Sequence, residues 1–212
     1  MAHERKLARM AHLAFHNAVR LHADSIHLFK RRSYGSALAL SVLALEELGK
    51  YFLVEDLVWH SLVEGSRSEH DQQEWLKLAY SHQAKQGHFA WVADGTVARS
   101  AFKRIAKGRA ERDKQRGFYV GLPRQGQRLD LLARISSPQS TGVRTAEAQI
   151  TVVNDFLVVL AAGCISETMV LDIPSVEQML TLGFARRLHR RWPSMSRPAR
   201  SYVRKVATGV FA

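Results

Sequence analysis

Apolar side chains recur every three to four residues along most of this chain, the spacing of one face of an α-helix. No segment shows the strict alternation of apolar and polar residues that is typical of a half-buried strand. The sequence therefore predicts an all-α fold, a bundle of about five core helices followed by a basic C-terminal helical extension. The predicted helices cover residues 3–31, 34–63, 70–93, 97–116, 145–170 and 174–192, with one last short helix in the tail.

The helix predicted over 34–63 is the densest in apolar residues, which indicates that it is the central and most buried one. Ser33 is a suitable N-cap for it, and Gly65 and Ser66 are expected to end it. Gly49 lies in its middle, where glycine costs about 1 kcal/mol relative to alanine. This glycine predicts that another backbone approaches the helix closely. Residues 117–144 are predicted to form an exposed loop, with a short helical piece at 128–134.

Positive charge is the second strong feature of the chain. Its 212 residues include 31 Lys and Arg against 19 Asp and Glu, a formal net charge of +12. Residues 103–134 hold 10 basic and 3 acidic residues, and residues 186–205 hold 8 basic residues and no acidic ones. Such a positive electrostatic field favours binding to RNA, DNA or an anionic membrane surface. The alternative is that these charges keep the protein soluble or neutralise an acidic protein partner. We predict a bundle domain over 1–172 and a basic extension over 173–212.

Composition excludes several classes of protein. Hydrophobic residues make up 46% of the chain, which rules out a wholly disordered protein. The charged N-terminal segment does not resemble a signal peptide, and the uncharged apolar run from Phe156 to Ser166 is too short to span a bilayer. With a single cysteine, Cys164, the chain cannot form an internal disulfide. We therefore expect a cytoplasmic protein without a membrane span.

Five polar residues within apolar helices form a candidate catalytic cluster. Glu46 and Lys50 are spaced i,i+4 in the central helix, and Glu47 adds a second carboxylate. His82 and Lys85 share a face of the helix predicted over 70–93. If these two helices pack antiparallel, the groups meet in the core or at its rim, because polar groups inside an apolar helix need partners. Two interpretations stay open, a structural polar network and a functional site.

A second candidate site is the strongly basic helix predicted over 97–116. Cations beside aromatic rings suit single-stranded nucleic acid, since arginine pairs with phosphate and bases stack on rings. The alternative is a solvated helix face whose aromatic residues anchor the loop. The candidate nucleic-acid-binding residues are Lys107, Arg109, Arg112, Arg116 and Tyr119. Asp24-x-x-His27 is a single copy of the spacing that a carboxylate-bridged metal site repeats, so no metal or other cofactor is predicted.

Three segments in this order resemble the AbiV family of bacterial abortive-infection proteins, over roughly residues 10–170. They are the segment from His16 through Ala44-Leu45-Glu46-Glu47-Leu48-Gly49-Lys50, then Ser81-His82-Gln83-Ala84-Lys85, and Glu111 to Val120. The chain departs from the family pattern at Gly121, where an aspartate is expected. The resemblance implies a HEPN-like helical fold and a role in phage defence.

The resemblance also implies an action on RNA or on the translation machinery, through a HEPN-type toxin or metal-independent ribonuclease. The HEPN nuclease signature is Arg-x(4–6)-His, and its matches here, Arg5/His12, Arg9/His16 and Arg20/His27, are interpreted as a solvated helix face. The alternative is a non-catalytic defence module that binds a phage or host protein, or nucleic acid, through its basic surface. A homodimer is expected because the helix over 145–170 is apolar on more than one face and because HEPN-like domains pair.

Overall fold

The structure is a computed structural model that describes residues 2–63, 68–97, 103–105, 107–122, 124–125, 128–165, 171 and 173–208. Its helices are α1 (Ala2–Lys30), α2 (Tyr34–Val63), α3 (Glu69–Leu78), α4 (His82–Val92), α5 (Arg109–Phe118), α6 (Val143–Ile165), α7 (Pro174–Glu177), α8 (Leu182–Arg191) and α9 (Arg197–Thr208). The predicted all-α fold is confirmed.

Helix α2 is the centre of the bundle, as its apolar density predicts. It packs against α1, α4, α5 and α6. Leu45, Leu48 and Leu57 on this helix are fully buried, so almost every face of it is covered. The predicted limits of this helix, 34–63, agree with the structure, whereas the predicted stop at Gly65 and Ser66 lies outside the described residues.

Three predicted helices are interrupted in the structure. The helix predicted over 70–93 is two helices, α3 and α4, and Ser81 starts the second by accepting a hydrogen bond from the Ala84 backbone. The helix predicted over 97–116 breaks at Gly108, whose φ of 64° is left-handed. The helix predicted over 174–192 is α7 and α8, with Thr181 capping α8.

The connection between α5 and α6 is mostly loop, but the helical piece predicted at 128–134 is wrong. Arg124–Gln125 instead pairs antiparallel with Arg128–Leu129 as a minimal hairpin, which is designated β1 and β2. Behind the hairpin, Gly121 and Ser136 exchange backbone hydrogen bonds of 3.0 and 2.8 Å. A 3₁₀ turn at Pro138–Ser140 then leads into α6.

The C-terminal segment is tied to the bundle through α6. The Asn154 side chain donates to the Trp192 carbonyl at 3.1 Å, and the Asp155 carboxylate accepts the backbone N–H groups of Met195 and Ser196 ahead of α9. Phe184 of α8 and Tyr202 of α9 belong to the same hydrophobic core as α1 and α2. The described part of the predicted C-terminal extension therefore shares the core of the bundle.

Helix α6 is long and apolar enough, by length and composition, to cross a membrane. The uncharged run from Phe156 to Ser166 is too short to span a bilayer, but the whole helix, Val143–Ile165, is long enough. In the structure, 61% of its most apolar window is buried inside the bundle, and buried core helices pass the same test. The chain's own helices therefore cover most of this window, and the homodimer stays a prediction.

Helices α2 and α4 touch backbone to backbone at Gly49, as predicted for this glycine. A Cβ atom added at Gly49 would lie 2.0 Å from the Lys85 carbonyl oxygen, so even alanine would force the two helices apart. Gly49 lies one turn beyond Glu46 on the same helix, and this close approach brings the start of α4 within reach of the Glu46 side chain.

We expect Gly49→Ala to lower the free energy of unfolding by about 2 kcal/mol or more, because the overpacked helices must separate. Gly87→Ala in α4 is the matched control. Nothing lies within 4 Å of a Cβ at Gly87, so the higher helix propensity of alanine should stabilise the protein by about 0.5–1 kcal/mol. Urea unfolding followed by circular dichroism measures both, and a Gly49→Ala protein as stable as wild type would contradict the close approach.

Candidate functional site

The carboxylate of Glu46, buried in α2, is the centre of a polar cluster that joins three helices. Glu46 is only 1% exposed. Its Oε1 atom accepts hydrogen bonds from Lys114 Nζ of α5 at 2.9 Å and from Gln86 Nε2 of α4 at 2.8 Å. Its Oε2 atom lies 2.7 Å from His82 Nδ1 and 3.7 Å from Lys85 Nζ, both on α4. One side chain thereby connects α2, α4 and α5.

The ammonium group of Lys114 lies where a metal ion would otherwise sit. Glu46, His82 and Glu111 each offer a ligand atom, and the three atoms lie within 4.8 Å of one another. Lys114 Nζ is already 2.9 Å from Glu46, 2.7 Å from Glu111 and 3.2 Å from His82 Nδ1. The ammonium group of Lys114 thus lies within hydrogen-bond distance of all three of these side chains.

Lys114 and Glu111 are both held in their charged forms. Burial alone lowers the pKa of Lys114, but its hydrogen bonds to Glu111 and Glu46 outweigh burial and leave the pKa raised. Burial likewise raises the pKa of Glu111, and the hydrogen bonds from Gln115 and Lys114 outweigh it, so the pKa is lowered. With Lys85, the cluster has two carboxylates and two ammonium groups, so its formal charge is balanced when His82 is neutral.

His82 is the member of the cluster that reaches solvent, and its side chain is 53% exposed. The 2.7 Å contact from Nδ1 to the Glu46 carboxylate requires a proton on Nδ1, since a carboxylate only accepts. Lys114 Nζ, at 3.2 Å from the same nitrogen, is also a donor and cannot share that proton. In neutral His82 the lone pair is therefore on Nε2. A buried carboxylate that fixes an imidazole in this tautomer is the arrangement of a general base.

The structure brings together three of the five predicted cluster residues. Glu46, His82 and Lys85 meet as expected, but Glu47 and Lys50 do not join them. Glu47 is half-buried on a neighbouring face of α2 and makes no hydrogen bond or ion pair with the described residues. The Lys50 ammonium instead lies 5.3 Å from the centre of the Tyr80 ring, in the turn between α3 and α4.

Three members of the cluster, Lys114, Gln86 and Glu111, were missed as site residues. Lys114 was assigned only to the basic helix, because it stands among several other cations. A signal was available, since Ala110, Lys114 and Gly117 lie at i, i+4 and i+7 and are the buried residues of α5. Two small residues on that face mark the side that packs on α2, and Lys114 shares it.

A groove rich in arginine lies on the other side of α5. One cavity of about 360 Å³ is lined by four arginines, one aspartate and a threonine, namely Arg104, Arg109, Arg112, Arg116, Asp113 and Thr145. Arg104 forms an ion pair with Asp113. The other three arginines make no ion pair within the described part of the chain. A second cavity of about 360 Å³ shares Arg116 and Thr145 and adds Arg134 and several hydroxyl groups.

The structure brings together three of the five residues predicted to bind nucleic acid, and their binding role stays a prediction. Arg109, Arg112 and Arg116 line one groove, which we call the arginine groove, whereas Lys107 and Tyr119 line neither of its cavities. Tyr119 is 62% exposed next to Phe118 at the end of α5. Because Arg112 and Arg116 lie on the face of α5 that turns away from Lys114, the groove and the Glu46 cluster occupy different sides of this helix.

The arginine and histidine residues of α1 that match the HEPN spacing, and Cys164, form no second cluster in the described residues. Arg5, Arg9, Arg20, His16 and His27 are exposed on α1 and His12 is half-buried, in line with a solvated face. Arg20 pairs with Asp24 at 3.0 Å. Burial raises the pKa of Cys164 to about 11, which keeps this thiol protonated and unreactive at neutral pH.

The family model of AbiV, a HEPN family, matches residues 6–157 of the chain, which is more than two thirds of its length. The chain belongs to the AbiV family. Its membership places it among the abortive-infection proteins of phage defence, as the resemblance of the three segments implied. No curated protein and no solved structure gives a significant match.

The AbiV match extends from α1 into α6, so it includes both the Glu46 cluster and the α5 arginines, whereas α7, α8 and α9 lie beyond it. Gly121, where the resemblance to AbiV predicts an aspartate, also falls within the match. A Cβ at Gly121 would meet nothing within 4 Å. The position therefore has room for an aspartate, and the pairing of its backbone with Ser136 does not require glycine.

Proposed function

We propose that this AbiV protein is an RNA-binding effector of abortive infection, and that the arginine groove holds the RNA backbone. The observation that carries the proposal is a set of three guanidinium groups along one groove that have no ion-pair partner among the described residues, namely Arg109, Arg112 and Arg116. Guanidinium groups bind phosphate oxygens in a bidentate manner and lose little on desolvation compared with ammonium groups.

The surroundings of the groove support a phosphate chain rather than a single anion. Its two cavities share Arg116 and continue past Arg134 to Ser136, Ser140 and Thr141, whose hydroxyl groups can donate to phosphate or sugar oxygens. The start of α6 also faces this region through Thr145, and a helix N-terminus adds favourable backbone N–H groups. Tyr119 lies outside both cavities, so we assign no base stacking to it.

RNA in the cytoplasm, including RNA of the translation machinery, is the partner that this proposal names. The single cysteine and the absence of a disulfide fit a reducing compartment. A homodimer would place two arginine grooves on one particle and lengthen the bound segment of RNA. The alternative is that the groove binds an acidic phage or host protein instead of RNA. The experiment below distinguishes the two.

We expect the double variant Arg112→Ala/Arg116→Ala to bind single-stranded RNA about tenfold or more weakly at low salt, with an unchanged melting temperature. The slope of log affinity against log salt should become smaller by about 1.4, since each phosphate contact contributes about 0.7 on a single strand. Arg186→Ala/Arg190→Ala is the matched control, because it removes the same charge from exposed positions of α8. Fluorescence anisotropy at several salt concentrations measures both.

Equal losses in the two double variants would mean that net charge, and not the groove, binds RNA. If wild-type protein binds no RNA at low salt but still protects cells against phage, the protein-binding alternative replaces the proposal.

Cleavage of the bound RNA is a second candidate function, and the Glu46–His82 pair is the observation that favours it. With Glu46 holding the proton on Nδ1, the exposed His82 can accept the proton of a ribose 2′-hydroxyl at Nε2. The 2′-oxygen then attacks the adjacent phosphorus, and the bond from phosphorus to the 5′-oxygen of the next nucleotide breaks. The leaving 5′-oxygen takes a proton from water, and His82 returns its own proton to solvent. The products are a 2′,3′-cyclic phosphate and a 5′-hydroxyl end, and no metal ion takes part in this step.

For His82→Ala we expect loss of RNA cleavage and of phage protection, with a melting temperature close to that of wild type because the side chain is half exposed. His16→Ala, on exposed α1, is the control and also tests the Arg9/His16 match to the HEPN signature. Sequencing of cyclic-phosphate ends during phage challenge, with EDTA-treated reactions in vitro, measures cleavage. Cleavage that survives His82→Ala but disappears in His16→Ala would move the active site to α1.

A further inference from the structure

A third cavity continues the arginine groove beyond Thr141. It measures about 310 Å³ and lies between the turn that starts α2 and the 3₁₀ turn at Pro138–Ser140. Thr141 also lines the cavity that contains Arg134, and that cavity shares Arg116 with the row of arginines on α5. The three cavities therefore follow one another along the surface of the protein.

The chemistry of the lining changes from the first cavity to the third. Four arginines line the first, and hydroxyl groups join the arginines in the second. The third has a single cation, Arg32, and no acidic residue, and it adds the rings of Tyr34 and Pro138 and the amide of Gln139. Such a lining suits a nucleic acid base, because a base has two apolar faces and a polar edge.

The polar groups of this third cavity are available to a ligand. The side chains of Arg32, Tyr34 and Gln139 form no hydrogen bond or ion pair with the part of the chain that the structure describes. Arg32 and Gln139 are exposed. An amide offers both a donor and an acceptor, so one glutamine side chain can contact N7 and the N6 amino group of adenine together.

The walls of the cavity are held in place by the fold itself. The Tyr34 ring is half-buried and packs edge to face with Phe29, with ring centres 5.2 Å apart. A Cβ atom added at Gly35 would lie 2.6 Å from the Pro138 carbonyl oxygen, so the first turn of α2 and the 3₁₀ turn touch backbone to backbone. This contact fixes the Tyr34 wall against the wall that carries Gln139. A site that is formed before the ligand arrives loses less free energy on binding.

We propose that this cavity, which we call the adenine pocket, binds an adenine base of the RNA strand held by the arginine groove. The base would lie against Tyr34 and Pro138, the Gln139 amide would pair with N6 and N7, and Arg32 would pair with the flanking phosphate. The inference rests on the proposed RNA binding and adds the substrate class to it. The substrate is single-stranded RNA that contains adenosine, since a base stacked in a duplex cannot enter such a pocket.

Three RNA nonanucleotides test the recognition of the base. One consists of uridine alone, one has adenosine at its centre, and one has 7-deazaadenosine there, which keeps the ring and the amino group but lacks the N7 acceptor. We expect the full chain to bind the adenosine strand about fivefold or more tightly than the uridine strand. The 7-deaza strand should lose most of that gain. Fluorescence anisotropy at low salt measures all three.

Gln139→Ala removes the amide from an exposed position and should leave the melting temperature unchanged. This variant should bind the uridine strand like wild type, but it should no longer distinguish adenosine from 7-deazaadenosine. Gln73→Ala, at an exposed position of α3 that lines none of the three cavities, is the matched control and should keep the wild-type preference.

The results separate failure of the adenine pocket from failure of the RNA proposal. If Arg112→Ala/Arg116→Ala weakens RNA binding, three results overturn the adenine pocket alone: equal affinity for the uridine and adenosine strands, no effect of 7-deazaadenosine, or an unchanged preference in Gln139→Ala. If the wild-type protein binds none of the strands, or if the arginine variant binds them as tightly as wild type, the proposed role of the groove is overturned together with the pocket.

Discussion

One buried carboxylate, that of Glu46, determines how the central helices fit together. An unpaired carboxylate in the core would cost several kcal/mol, so Glu46 requires cationic and hydrogen-bonding partners. It finds them on two other helices, Lys114 on α5 and Gln86 with His82 on α4. The lack of a side chain at Gly49, one turn away, lets α4 approach closely enough for these contacts. The position of α4 and that of α5 therefore both depend on this one side chain.

The same arrangement explains why α5 has two chemical faces. The face with Ala110, Lys114 and Gly117 is buried, and its one cation, Lys114, belongs to the Glu46 cluster. The opposite face leaves Arg109, Arg112 and Arg116 exposed in a groove. The contact of Lys114 with Glu46 fixes the rotation of α5 about its axis, so it also fixes the direction in which the three arginines point. A strand of RNA held in the groove would have to pass around α5 to reach His82, or reach the His82 of a second copy in a dimer.

The sequence predicts most of this fold because its helices are long and strongly periodic. The bounds of α2 and the close approach at Gly49 follow from apolar density and from one glycine in a helix. The break between α3 and α4 was missed because the apolar period continues across Ala79 and Tyr80, and only the cap at Ser81 marks it. The break at Gly108 was missed because the run of basic residues continues through it.

The candidate site was predictable only where a polar residue stood out against an apolar background. Glu46 did so in α2, and its pairing with His82 and Lys85 follows from helix packing. Lys114 did not, because sequence alone does not say which cation of a basic helix turns inward. The packing of α5 on α2 determines which cation turns inward. Gly117 of α5 packs against the backbone of Gly35, and this contact directs Lys114 towards Glu46.

The most direct test of the central role of Glu46 is a double-mutant cycle between Glu46→Gln and Lys114→Met, followed by urea unfolding. A buried pair of this kind should show a coupling energy of about 2 kcal/mol or more, since each single variant leaves a charge without its partner. The exposed Arg20–Asp24 pair on α1, also in hydrogen-bond contact, is the reference and should couple by about 0.3–0.5 kcal/mol. A coupling between Glu46 and Lys114 no larger than that of the exposed pair would contradict the account.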